Sequence, residues 1–230
     1  FLWPIALSHK TILLANSEHS RNEFLRQIDS CANVRLLYNP IDSSRFNPDG
    51  PGLKKREILV IYSGRLEKGK NLQKWIEIAS YVHAAMPATR FEIYGQGSLA
   101  EMLQRQIASQ HAEEYIALKG FRKDIENIYR MADVFMFLSE YESFGNVVVE
   151  SILCCTPVIA SPIPVMKEIF QDYPQFVLNE KEDFKEQVLS KLRQLDELKK
   201  LTSCAREKFV NRFSVNQHIE SLRNIYNGFE

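Results

Sequence analysis

Two glutamates, Glu142 and Glu150, carry the clearest chemical signal in this sequence. Seven residues separate them, and an apolar helix predicted over 144–154 leaves Glu150 beside Val147 and Leu153 on the helical wheel. A buried carboxylate needs a partner, because an unpaired buried charge is strongly destabilising. Glu142 precedes the first turn, where the helix dipole and free backbone N–H groups attract anions. The two acids therefore bracket a natural seat for a phosphate group.

A second interpretation of these acids needs no ligand. In it, Glu142 caps the helix and Glu150 forms a salt bridge with a neighbouring helix. Both interpretations fit the residue types and the spacing, so the two acids alone leave the choice open.

A basic turn is the next candidate for chemistry. Residues 63–71 lie between a predicted strand and a predicted helix and include Arg65 and Lys70, but they lack the Gly-x4-Gly-Lys-Ser/Thr order of a P-loop. Two fixed cations suit the stabilisation of charge on a departing phosphate group. By itself, a basic turn is more typical of a solvated surface. A tight turn that contains Gly97 follows the next strand and is weak evidence alone.

The stretch from Ser139 to Ser161 resembles a known family. Its pattern, Ser-x-x-Glu-Ser-Phe-Gly-Asn-x-x-x-Glu-Ser-x-x-Cys-x-Thr-Pro-Val-Ile-Ala-Ser, is similar to the Glu-x7-Glu signature of the family-4 retaining glycosyltransferases, which have the GT-B fold. The turn that begins at Gly64 matches the Gly-Arg-Leu-x-x-x-Lys-Asn turn of the same enzymes. The resemblance covers roughly residues 10–229 and rests on several motifs in the correct order.

This resemblance implies a role for each motif residue. The first glutamate of the signature binds the donor sugar and the second binds the nucleotide ribose, so these roles fall to Glu142 and Glu150. Arg65 and Lys70 neutralise the donor diphosphate, and with Glu142 they form the implied catalytic set. Further donor contacts fall to Phe144, Gly145, Asn146, Gly64 and Gly97, and the main chain at 119–121 meets the base. The implied donor is a UDP-, GDP- or ADP-sugar, and neither a cofactor nor a metal is expected.

The elements that must position these residues alternate along the chain. Short apolar runs predict strands at 11–15, 34–38, 58–62, 91–94, 115–118, 134–138, 158–160 and 176–178. Periodic segments predict helices at 16–27, 72–86, 99–109, 124–131, 144–154, 182–213 and 215–229. This alternation predicts an α/β fold, a Rossmann-like doubly wound parallel sheet, which the resemblance identifies as the C-terminal half of a GT-B fold. Such a sheet binds ligands beyond the carboxyl ends of its strands, where the motifs lie.

Three regions are expected along the chain. Residues 1–50 resemble the end of an N-terminal acceptor domain followed by a linker rich in Pro and Gly. Residues 51–213 form the nucleotide-sugar-binding domain, and residues 214–230 form a helix that returns toward the N-terminal half. Since the sequence also begins without Met, we expect it to be a piece of a longer protein.

Composition narrows the class of protein. The 230 residues carry 29 basic and 29 acidic side chains, so nothing favours a nucleic-acid partner. The apolar stretch 1–7 is too short to span a bilayer and does not resemble a signal peptide. The four cysteines lack metal-ligand spacing, and with Cys154 and Cys155 in a predicted buried helix they are expected to be reduced thiols of a cytoplasmic protein. Through the missing N-terminal half, peripheral contact with the cytoplasmic face of a membrane fits this picture.

The function implied is transfer of a sugar, with retention, from a nucleotide-sugar to a glycan or lipid-linked acceptor. Two departures from the family pattern bear on it. Cys155 stands where the family commonly has Gly, and 162–164 stand where many relatives have a Gly-Gly pair beside the donor. Two alternatives therefore stay open: a nucleotide-sugar-binding or degenerate partner subunit without turnover, and an epimerase-type enzyme on the same scaffold.

Overall fold

The computed structural model describes residues 11–27, 33–50 and 57–228. The described strands form a two-stranded sheet and a five-stranded sheet, both parallel. In chain order the elements are β1 (Leu13–Ala15), α1 (Glu18–Gln27), β2 (Val34–Leu36), β3 (Ile58–Ser63), α2 (Leu72–Ala85), β4 (Thr89–Tyr94), α3 (Ala100–Ser109), β5 (Ile116–Gly120), α4 (Ile125–Met131), β6 (Val134–Phe137), α5 (Asn146–Leu153), β7 (Val158–Ala160), α6 (Pro164–Ile169), α7 (Phe184–Arg193), α8 (Leu195–Arg212) and α9 (Val215–Asn227).

The larger sheet has the strand order β5-β4-β3-β6-β7. β3 and β6 are adjacent, with Val60 opposite Val134 and Ile61 opposite Phe135. From β3 the chain moves outward to β4 and β5, returns to β6 and continues to β7, so the sheet is doubly wound. This confirms the predicted Rossmann-like, doubly wound parallel sheet. The strand order reverses between β3 and β6.

Helices cover both faces of this sheet because its central strands are apolar throughout. Every residue of β6 and β7 is buried, and β3 is buried from Leu59 to Ser63. α2 packs against α3 and α7, while α5 packs against α4 and α8. Because crossovers between parallel strands are almost always right-handed, the reversal of strand order places these two groups of helices on opposite faces.

The smaller sheet and α1 dock onto the larger unit. β1 pairs with β2 in the register Leu13 to Val34, and neither strand joins the ladder of the larger sheet. Downstream of β2, the Ile41 N–H donates to the Phe213 carbonyl at 2.8 Å. The three predicted regions stay predictions, since the boundary after residue 50, the stretch 1–7 and the end of the last helix at Phe229 reach outside the described residues.

The predicted strand at 176–178 is wrong as an element. Pro174 begins a single turn of 3-10 helix, and Val177 forms an isolated parallel bridge with Ala160 of β7. Proline fixes φ and has no N–H to donate, so the chain enters this edge through a turn. The Leu178 N–H still donates to the Ala160 carbonyl at 2.8 Å, which keeps the segment beside β7.

Two helical features differ from the predictions. The stretch after β7, which carries the departure at 162–164, contains the short helix α6, and Pro164 stands in its first turn, where a missing N–H is tolerated. The predicted helix 182–213 is instead two helices, α7 and α8, that meet at Gln194. α9 then begins after Ser214, whose hydroxyl accepts the Gln217 N–H at 3.0 Å.

The adjacent cysteines follow α5 and do not lie inside it, which corrects the prediction. α5 ends at Leu153, and Cys154 is its buried C-cap. Cys155 is half-buried and has a φ of 60°, the left-handed conformation that favours glycine. Cys154, Cys155 and Cys204 are free thiols, and Cys31 lies outside the described residues.

Candidate functional site

The predicted site residues gather at the carboxyl ends of β3 and β6, where the strand order reverses. The basic turn 63–71 follows β3, and the loop 138–145 follows β6 and leads into α5. A hydrogen bond of 2.8 Å from the Glu140 N–H to the Gly69 carbonyl joins the two. Ligands of doubly wound sheets bind in this crevice. The structure therefore brings together the two motifs that carry the resemblance.

Two adjoining cavities open at this crevice. The first, of about 300 Å³, is lined by Lys70, Glu142 and the start of α5, and we name it the Glu142 cavity. The second, of about 310 Å³, is lined by Glu150 and Tyr129, and we name it the Glu150 cavity. Residues that line both cavities are Ser63, Gly64, Arg65 and Val147. One elongated ligand could occupy the two cavities together.

Glu142 is held by two donors to a single oxygen. The Lys70 ammonium forms a short ion pair with Oε1, and the Ser139 hydroxyl donates to the same oxygen at 3.1 Å. The Glu142 and Lys70 side chains are only 17% and 14% exposed, so the pair is largely removed from water. In the described structure no donor reaches Oε2, which leaves this oxygen available. The alternative that Glu142 caps the helix is not observed, since Gly145 is the N-cap of α5.

The N-terminus of α5 forms one wall of the Glu142 cavity. Gly145, the N-cap, has a φ of 92°, which favours glycine. Gly145 and Asn146 line the cavity, and the first N–H groups of a helix have no intrahelical acceptor. The Phe144 ring is buried and packs against Tyr38 and Phe213, with ring centroids 5.9 and 5.5 Å away. Its side chain is thus used for packing, which leaves the backbone to meet a ligand.

Arg65 and Gly64 lie where the two cavities meet. The Arg65 side chain is 73% exposed and pairs with Glu67 at 3.1 Å. The Tyr62 hydroxyl donates to the Arg65 carbonyl at 3.0 Å and fixes the turn. Because surface ion pairs of this kind are weak, the guanidinium is available to an anion in the crevice. With Lys70, the crevice has two cations on the same wall.

Gly97 lies against backbone and lines neither cavity. A Cβ on Gly97 would lie 2.4 Å from the Leu66 carbonyl oxygen, and one on Gly95 would lie 1.8 Å from that of Gly64. Both glycines therefore allow two turns to approach closely. Gly95 lines the Glu150 cavity, whereas the predicted donor contact of Gly97 stays a prediction.

Glu150 projects from α5 into the Glu150 cavity. Burial raises the pKa of its carboxyl group to about 7, and the Tyr129 hydroxyl lies 3.5 Å from Oε2. Arg45, the cation that most affects this pKa, is paired with Glu126 at 2.9 Å. The alternative of a salt bridge is not observed, since the described residues provide no ion pair to Glu150. A half-desolvated carboxylate at a cavity wall is suited to a ligand that donates hydroxyl groups.

Of the residues expected at the base, Phe121 alone lines the Glu150 cavity, with its ring 60% exposed. Lys119 pairs with Glu92 at 3.6 Å. Gly120 has a φ of 71°, and its carbonyl accepts the Gly95 N–H at 2.9 Å. The aromatic ring is therefore the part of this turn best placed to meet a planar group.

Four further polar residues belong to the site, and none of them is among the residues predicted from the sequence motifs. Ser139 contacts Glu142, Ser63 and Tyr129 share a hydrogen bond of 2.7 Å, and the Asn39 amide donates to the Asn146 side chain at 2.9 Å. Both serines stand at the carboxyl ends of apolar strands, and that position is a usable signal. Tyr129 and Asn39 arrive from other elements, and no local pattern marks them.

No three His, Cys, Asp or Glu side chains among residues 11–27, 33–50 and 57–228 lie close enough together to hold a metal ion. In the same ranges, no helix has both the length and the apolar character needed to cross a membrane.

Known proteins are similar to this chain in sequence and in structure. An N-acetylgalactosamine-N,N'-diacetylbacillosaminyl-diphospho-undecaprenol 4-alpha-N-acetylgalactosaminyltransferase of Campylobacter jejuni is 28% identical over 177 residues, which are 75% of this chain and 47% of the relative. A TarM variant of S. aureus, solved with fondaparinux, alpha-GlcNAc-glycerol and UDP, aligns with a TM-score of 0.80 at 22% identity over 93% of this chain and 43% of its own. Anabaena HepE, solved with UDP and glucose, aligns with a TM-score of 0.78 at 18% identity, over 94% and 62% of the two chains.

These similarities concern part of each relative. The chain spans between 26% and 53% of the length of three of the curated relatives it matches. The family model described as "Glycosyl transferases group 1" matches residues 43–208, which include the whole five-stranded sheet, the Glu150 cavity and all of the Glu142 cavity except Asn39. The chain belongs to the glycosyl transferases group 1 family.

Proposed function

We propose that this chain is the donor-binding half of a retaining glycosyltransferase that uses a UDP-sugar. Membership of the family supports the reaction class, and the Campylobacter jejuni relative is named as a glycosyltransferase. Two structural neighbours were solved with UDP, which supports a uracil nucleotide over its guanine and adenine counterparts. The sugar and diphosphate would occupy the Glu142 cavity, and the nucleoside would occupy the Glu150 cavity.

The observation that carries this proposal is the placement of one carboxylate in each of two joined cavities, on either side of a helix N-terminus. Glu142 offers a free Oε2 toward the first cavity, and Glu150 has no ion-pair partner among the described residues. A nucleotide-sugar has hydroxyl groups at both ends and anionic phosphates between them. The hydroxyl groups of its sugar and of its ribose lie on either side of the diphosphate, with the base beyond the ribose, and this order matches the order of groups along the crevice.

The reaction would use these groups in the following way. As the bond between the anomeric carbon and the diphosphate breaks, negative charge grows on the departing UDP, and Arg65, Lys70 and the first amides of α5 stabilise it. Oε2 of Glu142 accepts a hydrogen bond from a hydroxyl group of the sugar, while Lys70 and Ser139 hold the other oxygen in place. Glu150 accepts hydrogen bonds from the ribose hydroxyl groups. The acceptor hydroxyl group then forms its bond to the anomeric carbon on the face from which UDP departs, and its proton passes to the departing diphosphate.

The proposed acceptor is a glycan or a lipid-linked saccharide. The name of the Campylobacter jejuni relative, whose acceptor is linked to diphospho-undecaprenol, supports a lipid-linked one. Most acceptor contacts would come from a half that this chain does not contain. Neither a cofactor nor a metal is part of this proposal, and the cytoplasmic location and peripheral membrane contact stay predictions.

Transfer kinetics of the intact protein test this function. Glu142→Ala and Arg65→Ala should each lower kcat/KM more than tenfold, on the order of 2–4 kcal/mol of transition-state stabilisation. Arg90→Ala is the matched control, since Arg90 is an exposed arginine that pairs with Glu57 away from the crevice, and it should leave the rate unchanged. Near-normal rates for both site variants would contradict the assignment.

The products of the same assay decide the finer points. Nuclear magnetic resonance of the product should show that the anomeric configuration of the donor sugar is kept, and an inverted product would exclude retention. An isomerised donor without any glycoside would support the epimerase alternative. Binding of UDP-sugar with no turnover for a range of acceptors would support the binding subunit.

A further inference from the structure

A pair of buried hydroxyl groups connects the two cavities. Ser63, the last residue of β3, is 4% exposed and lines both cavities. Tyr129 on α4 is fully buried, and its hydroxyl lies 2.7 Å from the Ser63 hydroxyl and 3.5 Å from Oε2 of Glu150. The three groups therefore form a chain that runs from the Glu150 carboxylate to the point where the cavities meet.

Proton counting restricts how this chain can be arranged. A hydroxyl group has one proton to donate, and an ionised carboxylate can only accept. Burial raises the pKa of Tyr129, so its hydroxyl keeps its proton. When that proton points to an ionised Glu150, the hydrogen bond between the hydroxyls requires Ser63 to donate to Tyr129. In this arrangement Ser63 has no proton left for a ligand.

We propose that Ser63 and Tyr129 form a hydroxyl relay that couples ribose binding at Glu150 to phosphate binding at Ser63. This inference rests on the proposed function of the site. Ribose hydroxyl groups donate hydrogen bonds to Glu150 and replace the hydrogen bond from Tyr129. The Tyr129 hydroxyl then rotates and donates to Ser63. Ser63 in turn directs its own proton to a phosphate oxygen. No covalent bond forms or breaks, since each O–H group only rotates.

The surroundings of Tyr129 allow rotation of the proton but not of the ring. The ring packs edge-on against Phe135, with centroids 5.5 Å apart, and also contacts Phe46 at 6.4 Å. The Thr156 hydroxyl donates to the Tyr129 carbonyl at 2.5 Å and holds the backbone. Tyr129 is thus a positioning residue, and Ser63 is a ligand of the phosphate.

Four ligands test the relay in the intact wild-type protein: uridine, 2',3'-dideoxyuridine and the 5'-diphosphates of both. Calorimetry at about pH 8.5 keeps Glu150 ionised. With the relay, adding the diphosphate should raise the affinity of uridine about tenfold more than it raises the affinity of dideoxyuridine. The reason is that Ser63 can donate to the charged phosphate only when ribose hydroxyl groups occupy Glu150. Equal strengthening for both nucleosides, with UDP bound, would overturn the relay and leave the proposed function intact. No binding of UDP would overturn both.

Two conservative variants separate the relay from a purely structural pair. Tyr129→Phe removes one oxygen and frees the Ser63 proton, so the tenfold difference between the two nucleoside series should disappear. Its persistence would overturn the proposal. Ser63→Ala should weaken UDP about tenfold more than it weakens uridine, because uridine loses only the acceptor of the Tyr129 proton whereas UDP also loses the hydrogen bond to its phosphate. Equal weakening of both ligands would also overturn the proposal. The second variant decides the question if the first does not fold, and thermal melting reports folding of each.

Discussion

At the scale of single residues, the two glutamates of the site differ in what holds their charge. Glu142 forms an ion pair with Lys70 and accepts a hydrogen bond from Ser139, whereas Glu150 has a tyrosine hydroxyl at 3.5 Å and no ion pair within the described chain. Burial accordingly raises the pKa of Glu150 to about 7 from 4.5. Glu150 therefore destabilises the free protein at neutral pH, and a ligand would recover that free energy on binding.

Glu150→Gln should stabilise the free protein while it weakens nucleotide binding. Between pH 4.5 and about 7 the native state binds more protons than the unfolded state, so the stability of the wild type falls as the pH rises through this window. Glutamine does not titrate, and its advantage in free energy of unfolding should grow from near zero at the lower end to on the order of 3 kcal/mol above the upper end. Denaturant unfolding at several pH values measures this.

Glu142→Gln is the matched control for that measurement. It leaves the half-buried Lys70 ammonium without its carboxylate partner, so at pH 8 it should destabilise the protein. Equal effects of the two variants at that pH would show that the difference between the carboxylates plays no part in stability.

Cys155 carries backbone strain that a glycine would relieve. A φ of 60° costs a residue with a side chain about 1–2 kcal/mol, which a glycine would recover. Part of this recovered free energy is offset, because glycine is more flexible than cysteine in the unfolded chain. Cys155→Gly should therefore raise the free energy of unfolding by about 0.5–1 kcal/mol. Cys155→Ala keeps the strain and should give no gain. A destabilised glycine variant would mean that the half-buried thiol contributes more than the strain removes.

Residue roles could be predicted only where a local motif marks the position. The Glu-x7-Glu pattern and the basic turn led to Glu142, Glu150, Arg65 and Lys70, all of which the structure gathers in one crevice. Their donor contacts stay predictions. Tyr129 could not be found in this way, because its position beside Glu150 depends on how α4 packs on α5.

At the scale of elements, the Glu168 carboxylate is one of the groups that join the N-terminal segment to the unit of the larger sheet. Glu168 on α6 accepts the N–H groups of Glu18 and His19 at 2.8 and 3.1 Å, and it accepts the Tyr38 hydroxyl at 3.0 Å. These amides form the first turn of α1, where a negative charge also interacts favourably with the helix dipole. The docking of α1 thus depends on Glu168 of α6, the short helix that follows β7.

Glu168→Ala should loosen this docking. Loss of three hydrogen bonds to a charged group should lower the free energy of unfolding by about 2 kcal/mol or more. In this variant, hydrogen exchange of the Glu18 and His19 amides should be faster than in the wild type, and it should increase more than the exchange of amides in the larger sheet. Glu180→Ala is the control, since Glu180 is an exposed carboxylate that pairs with Lys167 at 3.4 Å, and it should change stability by less than about 0.5 kcal/mol. Unchanged exchange in α1 for the Glu168 variant would contradict this account.

Strands of the larger sheet were predictable because buried parallel strands are short apolar runs between turn residues. The errors fall where the chain leaves that pattern. The run at 176–178 is apolar, but Pro174 begins a 3-10 helix that ends at Phe176, so no regular strand forms there. α6 was not predicted because its six residues are too few to show helical periodicity. The break at Gln194 follows from packing of α7 and α8 on different partners, which no local pattern records.

At the scale of the whole molecule, the winding of the sheet assembles the site. Residues from 62 to 150 meet at one edge because the strand order reverses between β3 and β6. The segment before the larger sheet also takes part, since Asn39 lines the Glu142 cavity and donates to the Asn146 side chain. In the proposed two-half enzyme, this segment would connect the crevice with the acceptor half.

Binding of nucleotides to the intact protein tests the central claim most directly. Calorimetry with UDP, GDP and ADP on the wild type and on Glu150→Ala would give the affinity and the base preference together. We expect UDP to bind most tightly, to stabilise the fold by about 2.7 kcal/mol at 100 times its Kd, and to lose at least tenfold in affinity with the variant. An intact protein that binds no UDP, or a variant that binds UDP as well as the wild type does, would contradict the assignment of these cavities to a nucleotide-sugar.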